Sequence, residues 1–174
     1  MKLFKLSELS HDSEYKFYTA ENLVSFIDKK NQGIEPNTTI NLTLYEGKTK
    51  KEKTKSADFN ISTSLPYFFV NEEIKKEMEK IGINVEFIPV NTSDNRCFYF
   101  VLTLNMINII EFNNKDDLLE MILDDKLIFK KDINLAGIYL FRDPNLITDT
   151  FFTEEFINIF KNKLKGAFFD EIVQ

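Results

Sequence analysis

A chain of 174 residues (20.5 kDa), 43% hydrophobic and 29% charged, is long enough for one domain with a proper core, and its apolar fraction excludes a disordered chain. No apolar run is long enough to span a bilayer, and a net charge of −6, with 20 Lys but only two Arg (Arg96 and Arg142), excludes a general nucleic-acid binder. One Cys (Cys97) and one His (His11) exclude a disulfide framework, a zinc finger and any site needing two imidazoles.

The first residues, Met1 to Phe17, hold no apolar stretch of the kind a signal peptide needs, and neither end carries a lipidation motif, so a cytoplasmic protein is expected. A short strand is expected near Tyr15–Tyr18. Thr19 reads as an N-cap for a helix whose apolar stripe is Leu23, Phe26 and Ile27, closed by Gly33 and Pro36. Residues 39–45 alternate Ile40, Leu42 and Leu44 against Asn41, Thr43 and Tyr45, the pattern of a half-buried strand. Gly47 to Lys55 follows, with five Lys and no apolar residue. It reads as a solvated loop tip.

Phe68-Phe69-Val70 leads into Asn71, an N-cap followed by Glu72 and Glu73 and by the helical stripe Ile74, Met78, Ile81, with Gly82 as the stop. Val85–Val90 reads as an edge strand, because Pro89 cannot donate to a ladder. Cys97–Leu104 reads as a central strand buried on both faces, with Cys97 as a small core hydrophobe. Met106–Phe112 is another β-branched run. Asp116 or Asp117 then caps a short helix carrying Leu118, Leu119 and Ile122. Lys126–Lys131 and Gly137–Arg142 are strand candidates. Thr153 caps a helix through Leu164, Gly166 ends it, and Ala167–Val173 can form a last strand.

Phe69-Val70-Asn71-Glu72-Glu73-Ile74 is echoed by Phe151-Phe152-Thr153-Glu154-Glu155-Phe156. Each copy runs aromatic, N-cap, two acids, helix, Gly and strand. Two copies do not make a solenoid. They imply two similarly packed helix-to-strand units in one α+β domain: a mostly antiparallel sheet with helices packed on it, residues 1–55 forming its N-terminal segment and residues 56–174 the rest.

No catalytic or cofactor signature is present. Acid doublets occur at Glu72-Glu73, Asp116-Asp117, Asp124-Asp125, Glu154-Glu155 and Asp170-Glu171, but adjacent residues do not face each other on a helix, and the helix dipole accounts for three of the pairs. His11 has no nucleophile motif to partner it, and the five Gly form no phosphate-binding loop. No catalytic residue, cofactor or metal site is therefore expected. Charge is uneven: residues 1–60 carry a net +1 and residues 61–174 a net −7, which favours encounter with a basic partner.

From Ser56 onward one order of segments runs through Asp58-Phe59, Phe69-Val70-Asn71-Glu72-Glu73-Ile74, Val85–Val90, Phe98-Tyr99-Phe100-Val101-Leu102, Ile138–Arg142, Phe151–Phe156 and Leu164–Phe168. This order resembles a family of bacterial immunity proteins from polymorphic toxin systems, the immunity protein eleven type, catalogued as a domain of unknown function. The resemblance implies a non-enzymatic protein that binds and neutralises a cognate protein toxin in the cytoplasm, with no nucleic-acid or membrane partner. It carries over no catalytic residue. The acidic balance suits a basic nuclease as that toxin, and the densest acidic stretch, Asp116, Asp117, Glu120, Asp124 and Asp125, is the candidate contact surface. Two other classes stay open: a small-molecule enzyme whose carboxylates assemble only in the fold, and a self-assembling scaffold.

Overall fold

The computed structural model describes residues 2–7, 13–124 and 126–172. Among them lie ten strands and five helices in an α+β arrangement of two sheets, as the sequence predicts, although one sheet was expected. The four-stranded sheet has the order β10 (Phe169–Ile172), β1 (Leu3–Leu6), β9 (Leu146–Thr153), β8 (Leu140–Asp143), antiparallel throughout. The six-stranded sheet has the order β2 (Tyr18–Glu21), β3 (Asn41–Leu44), β6 (Val85–Thr92), β7 (Phe98–Thr103), β5 (Tyr67–Asn71), β4 (Ile61–Ser64). It is antiparallel except where β3 meets β6 at Asn41↔Asn91 and Leu42↔Thr92. Its two outer strands curl toward each other, and the Tyr18 amide donates to Ser62 Oγ at 2.9 Å. The helices are α1 (Leu23–Asn31), α2 (Lys50–Lys53), α3 (Glu72–Lys80), α4 (Lys115–Leu123) and α5 (Glu154–Phe160).

The apolar run of β7 takes the centre of the six-stranded sheet and feeds both faces, as expected. Phe98, Phe100 and Leu102 join Tyr18, Phe59 and Phe69 and the buried α1 stripe of Leu23, Phe26 and Ile27. Tyr18 meets the edges of Phe59 and Phe98 at ring-centroid distances of 5.1 Å each. Val101, on the other face, joins Ile61, Phe68 and Val70 beneath α3 and α5. Thr19 does not cap α1. It pairs with Thr43 in β2, and Asn22, at φ 65°, takes the cap position without a side-chain bond. Ladder pairing outcompetes a local cap here.

The sequence echo is a structural duplication. Hairpin β4–β5, helix α3 and strand β6 correspond to hairpin β8–β9, helix α5 and strand β10. Asn71 caps α3 by accepting from the Ile74 amide at 3.0 Å, and Thr153 caps α5 by accepting from the Phe156 amide at 3.4 Å. Each helix buries two side chains four residues apart, Ile74 with Met78 and Phe156 with Phe160, and all four enter one core with Phe68 and Phe152, whose rings are 5.5 Å apart. In the first unit β7 lies between β5 and β6. In the second, that place between β9 and β10 is filled by β1, from the other end of the chain. Gly166 follows α5 at φ 111°, and a Cβ there would stand 2.5 Å from the Ile61 carbonyl oxygen, so only glycine fits.

Several expectations need correction. Cys97 is exposed, one residue before the buried strand begins. β6 is not an edge strand; Pro89 is tolerated because β3 joins β6 only from Asn91 onward. The Lys-rich loop contains the single-turn helix α2, held by a capping box in which Thr49 accepts from the Glu52 amide and Glu52 accepts from the Thr49 amide. Met106–Phe112 and Lys126–Lys131 are not strands. Each makes isolated bridges, Met106 to Arg142 and Ile110 to Phe129. α5 stops at Phe160, short of Leu164. β1, β4 and β9 were not anticipated. His11 and Asp125 lie outside the described residues.

Candidate functional site

Residues 105–138 leave the sheets and return, and a buried carboxylate pins them. Asp143, fully buried at the end of β8, accepts from the amides of Ile109 (2.7 Å) and Ile110 (3.0 Å) and from the Asn145 amide and side-chain Nδ2 (2.7 and 2.8 Å). Ile109, Ile110 and Phe129 then pack on Leu3, Phe141 and Phe151, with Phe129 edge-on to Phe151 at 5.9 Å. This platform holds α4.

Asn114, not Asp116 or Asp117, caps α4, accepting from the amides of Asp116 (2.9 Å) and Asp117 (3.1 Å). Asp117 is half-buried and accepts from Asn113 Nδ2 at 2.7 Å, so it serves the helix start. Leu118 and Met121 turn inward onto the platform. Leu119 and Ile122 point out, beside Leu123: they are 56%, 41% and 76% exposed. No residue of α4 is fully buried. A helix apolar on both sides fits a place between two surfaces, and here one of the two is solvent.

The adjoining stripe, Asp116, Glu120 and Asp124, is exposed and spaced by one turn. Asp124 sits at the helix C-terminus, where the dipole is negative and repels a carboxylate, and no basic residue occupies the last turn. Lys126 approaches Asp124 at 3.7 Å, but both side chains are well exposed, so the pair contributes little. Beside the helix lies a shallow depression of about 270 Å³ bordered by Asp117, Glu120, Met121, Asp124, Lys126 and Ile128. Of the five predicted contact residues, Asp116, Glu120 and Asp124 thus share one outward face, Asp117 is turned to a structural task, and Asp125 lies outside the described residues. The apolar stripe is the part of this face that the sequence hid, because Leu118–Leu123 without Glu120 is apolar all round and does not say which side is out.

Two polar clusters elsewhere, Glu72 with Tyr99 and Asp94 with Tyr18 and Arg96, are occupied by structural partners. Glu72 accepts from the Tyr99 hydroxyl at 2.6 Å. That bond holds the carboxyl below its ordinary range, and it pushes the Tyr99 phenol up to about 12. Tyr18 donates to Asp94 at 2.7 Å, and burial, then this bond, raise its phenol. Burial works to raise the Asp94 carboxyl, but Tyr18 and Arg96 together hold it below the usual carboxylate range. Arg96 donates to Asp94 at 2.8 Å and to the Ala57 carbonyl at 2.7 Å while lying 4.2 Å from the Phe59 ring centroid. Among the described residues no group of three His, Cys, Asp or Glu side chains could hold a metal ion, and no helix is long and apolar enough to cross a membrane.

The chain matches no protein-family model, no curated protein and no solved structure at a significant level.

Proposed function

We propose that this chain is a protein-binding antagonist, the immunity partner of a basic protein toxin, and that α4 is its docking helix. The observation that carries the reading is the outward face of α4, where an exposed apolar stripe (Leu119, Ile122, Leu123) runs beside an acidic one (Asp116, Glu120, Asp124). An apolar stripe offers buried area to a partner, and flanking carboxylates speed encounter with a basic surface. Asp124 at the negative end of its helix is unfavourable for the free fold, and local rule-breaking of that kind is concentrated at functional positions. The net −7 of residues 61–174 and the segment order that resembles an immunity family support the same reading.

The test is co-expression with the product of the neighbouring gene, scored by cell survival and by isolation of a stoichiometric complex. Reversal of Asp116, Glu120 and Asp124 to Lys slows association about tenfold or more at low salt and less at high salt. Leu119→Ser with Leu123→Ser acts on dissociation instead. Full protection with unchanged kinetics in both variants moves the interface away from α4. Absence of both complex and rescue with the wild type removes the toxin reading itself.

A further inference from the structure

The four-stranded sheet has one face that is only half covered. Leu3, Phe141, Phe151 and Ile172 point to this face and lie under the 107–138 excursion. Strand alternation puts Lys5 and its cross-strand partner Asp170 on the same face, together with Asp149, two residues before Phe151. There the cover stops and a cleft of about 710 Å³ opens, with Leu65, Leu127 and Phe168 in its walls. Leu65 and Phe168 are each more than two-fifths exposed. Leu127 faces the cleft while its neighbours Lys126 and Ile128 border the depression beside α4, so the two hollows share one rim.

The charges of the cleft are unbalanced. Among the described residues Asp149 accepts only from the adjacent Thr148 hydroxyl at 3.1 Å and Asp170 has no ion pair, while Lys5 has a partner of its own. Apolar walls around two carboxylates fit a flexible segment that brings one cation between apolar side chains, and the volume lies in the range of binding pockets. We propose that this cleft receives an extended segment of a basic partner protein, with one Lys or Arg side chain held by Asp149 and Asp170 and its apolar neighbours set against Leu65, Leu127 and Phe168. The inference rests on the protein-docking reading above and extends that interface around the rim from α4.

The probe is the peptide acetyl-Leu-Arg-Leu-amide, titrated into the isotope-labelled chain and followed by amide chemical shifts. Saturable shifts are expected at Lys5, Thr150, Phe151 and Asp170, with a Kd of about 1 mM. The isosteric neutral peptide, with citrulline in place of Arg, should bind at least about fivefold more weakly, as should the Arg peptide to Asp149→Asn/Asp170→Asn. Shifts elsewhere, no saturation, or equal binding of the Arg and citrulline peptides would overturn the proposal. The titration contains no toxin, so failure of co-expression rescue leaves its result standing, and failure of the titration leaves the α4 reading standing.

Discussion

Replacing Asp143 with Ala tests whether the α4 platform is held by one buried carboxylate. The substitution leaves the buried amides of Ile109 and Ile110 without an acceptor. An orphaned buried donor costs about 1–3 kcal/mol, so the pair costs about 2–6 kcal/mol. The Asn145 donors are only part-buried and can turn to water, so they add little. Against a total stability on the order of 5–15 kcal/mol for a domain, such a loss is large. Urea unfolding should show the midpoint falling, and hydrogen exchange should show the Ile109 and Ile110 amides losing protection first. Asp143→Asn keeps one acceptor oxygen and should cost less than Asp143→Ala. A loss under about 1 kcal/mol for Asp143→Ala would refute the reasoning, because it would mean that water or the backbone already satisfies both amides.

Arg96→Lys should destabilise by about 1–3 kcal/mol in a thermal melt, since a lysine cannot donate to both Asp94 and the Ala57 carbonyl while lying flat on Phe59. Gly166→Ala should cost at least about 2 kcal/mol by urea titration, because the new Cβ meets the Ile61 carbonyl in a conformation that L side chains rarely adopt. The folded Asp94 carboxyl titrates below its unfolded value, so its contribution is present above the unfolded pKa of about 3.9 and disappears as pH falls through the lower folded value. Asp94→Asn should therefore make stability measured between neutral pH and pH of about 2 less acid-dependent than in the wild type.

Much of the fold was legible where the signal is local. The caps Asn71 and Thr153, the α1 stripe, the run of β7 and the repeated helix entry each depend on a few neighbouring residues, and each is found where the sequence puts it. What failed was non-local. Nothing in Leu3–Leu6 announces that it pairs with residues more than 140 positions away. Met106–Phe112 has a strand's composition, but its amides go to the Asp143 side chain and to isolated bridges. For the candidate site, the acids of α4 were legible as charge, while the outward turn of Leu119 and Ile122 depends on which side meets the platform. The sheet cleft is assembled from β1, β9, β10 and two loops, so no stretch of sequence carries its signal.

The position of β1 also sets an order of events during synthesis. Until residues 169–172 are made, the first strand has β9 alone to pair with, and until residues 146–153 are made it has neither neighbour. Between the synthesis of β1 and that of its neighbours a growing chain therefore exposes strand edges, a state open to wrong pairing. Leu3 faces Ile172 across the ladder, so a short linker can join residue 172 to residue 3, and new ends can be opened between the two units. In that permutant the second unit reads in the same order as the first, its closing strand directly after β10. Its contacts become more local, and it should refold faster than the natural order.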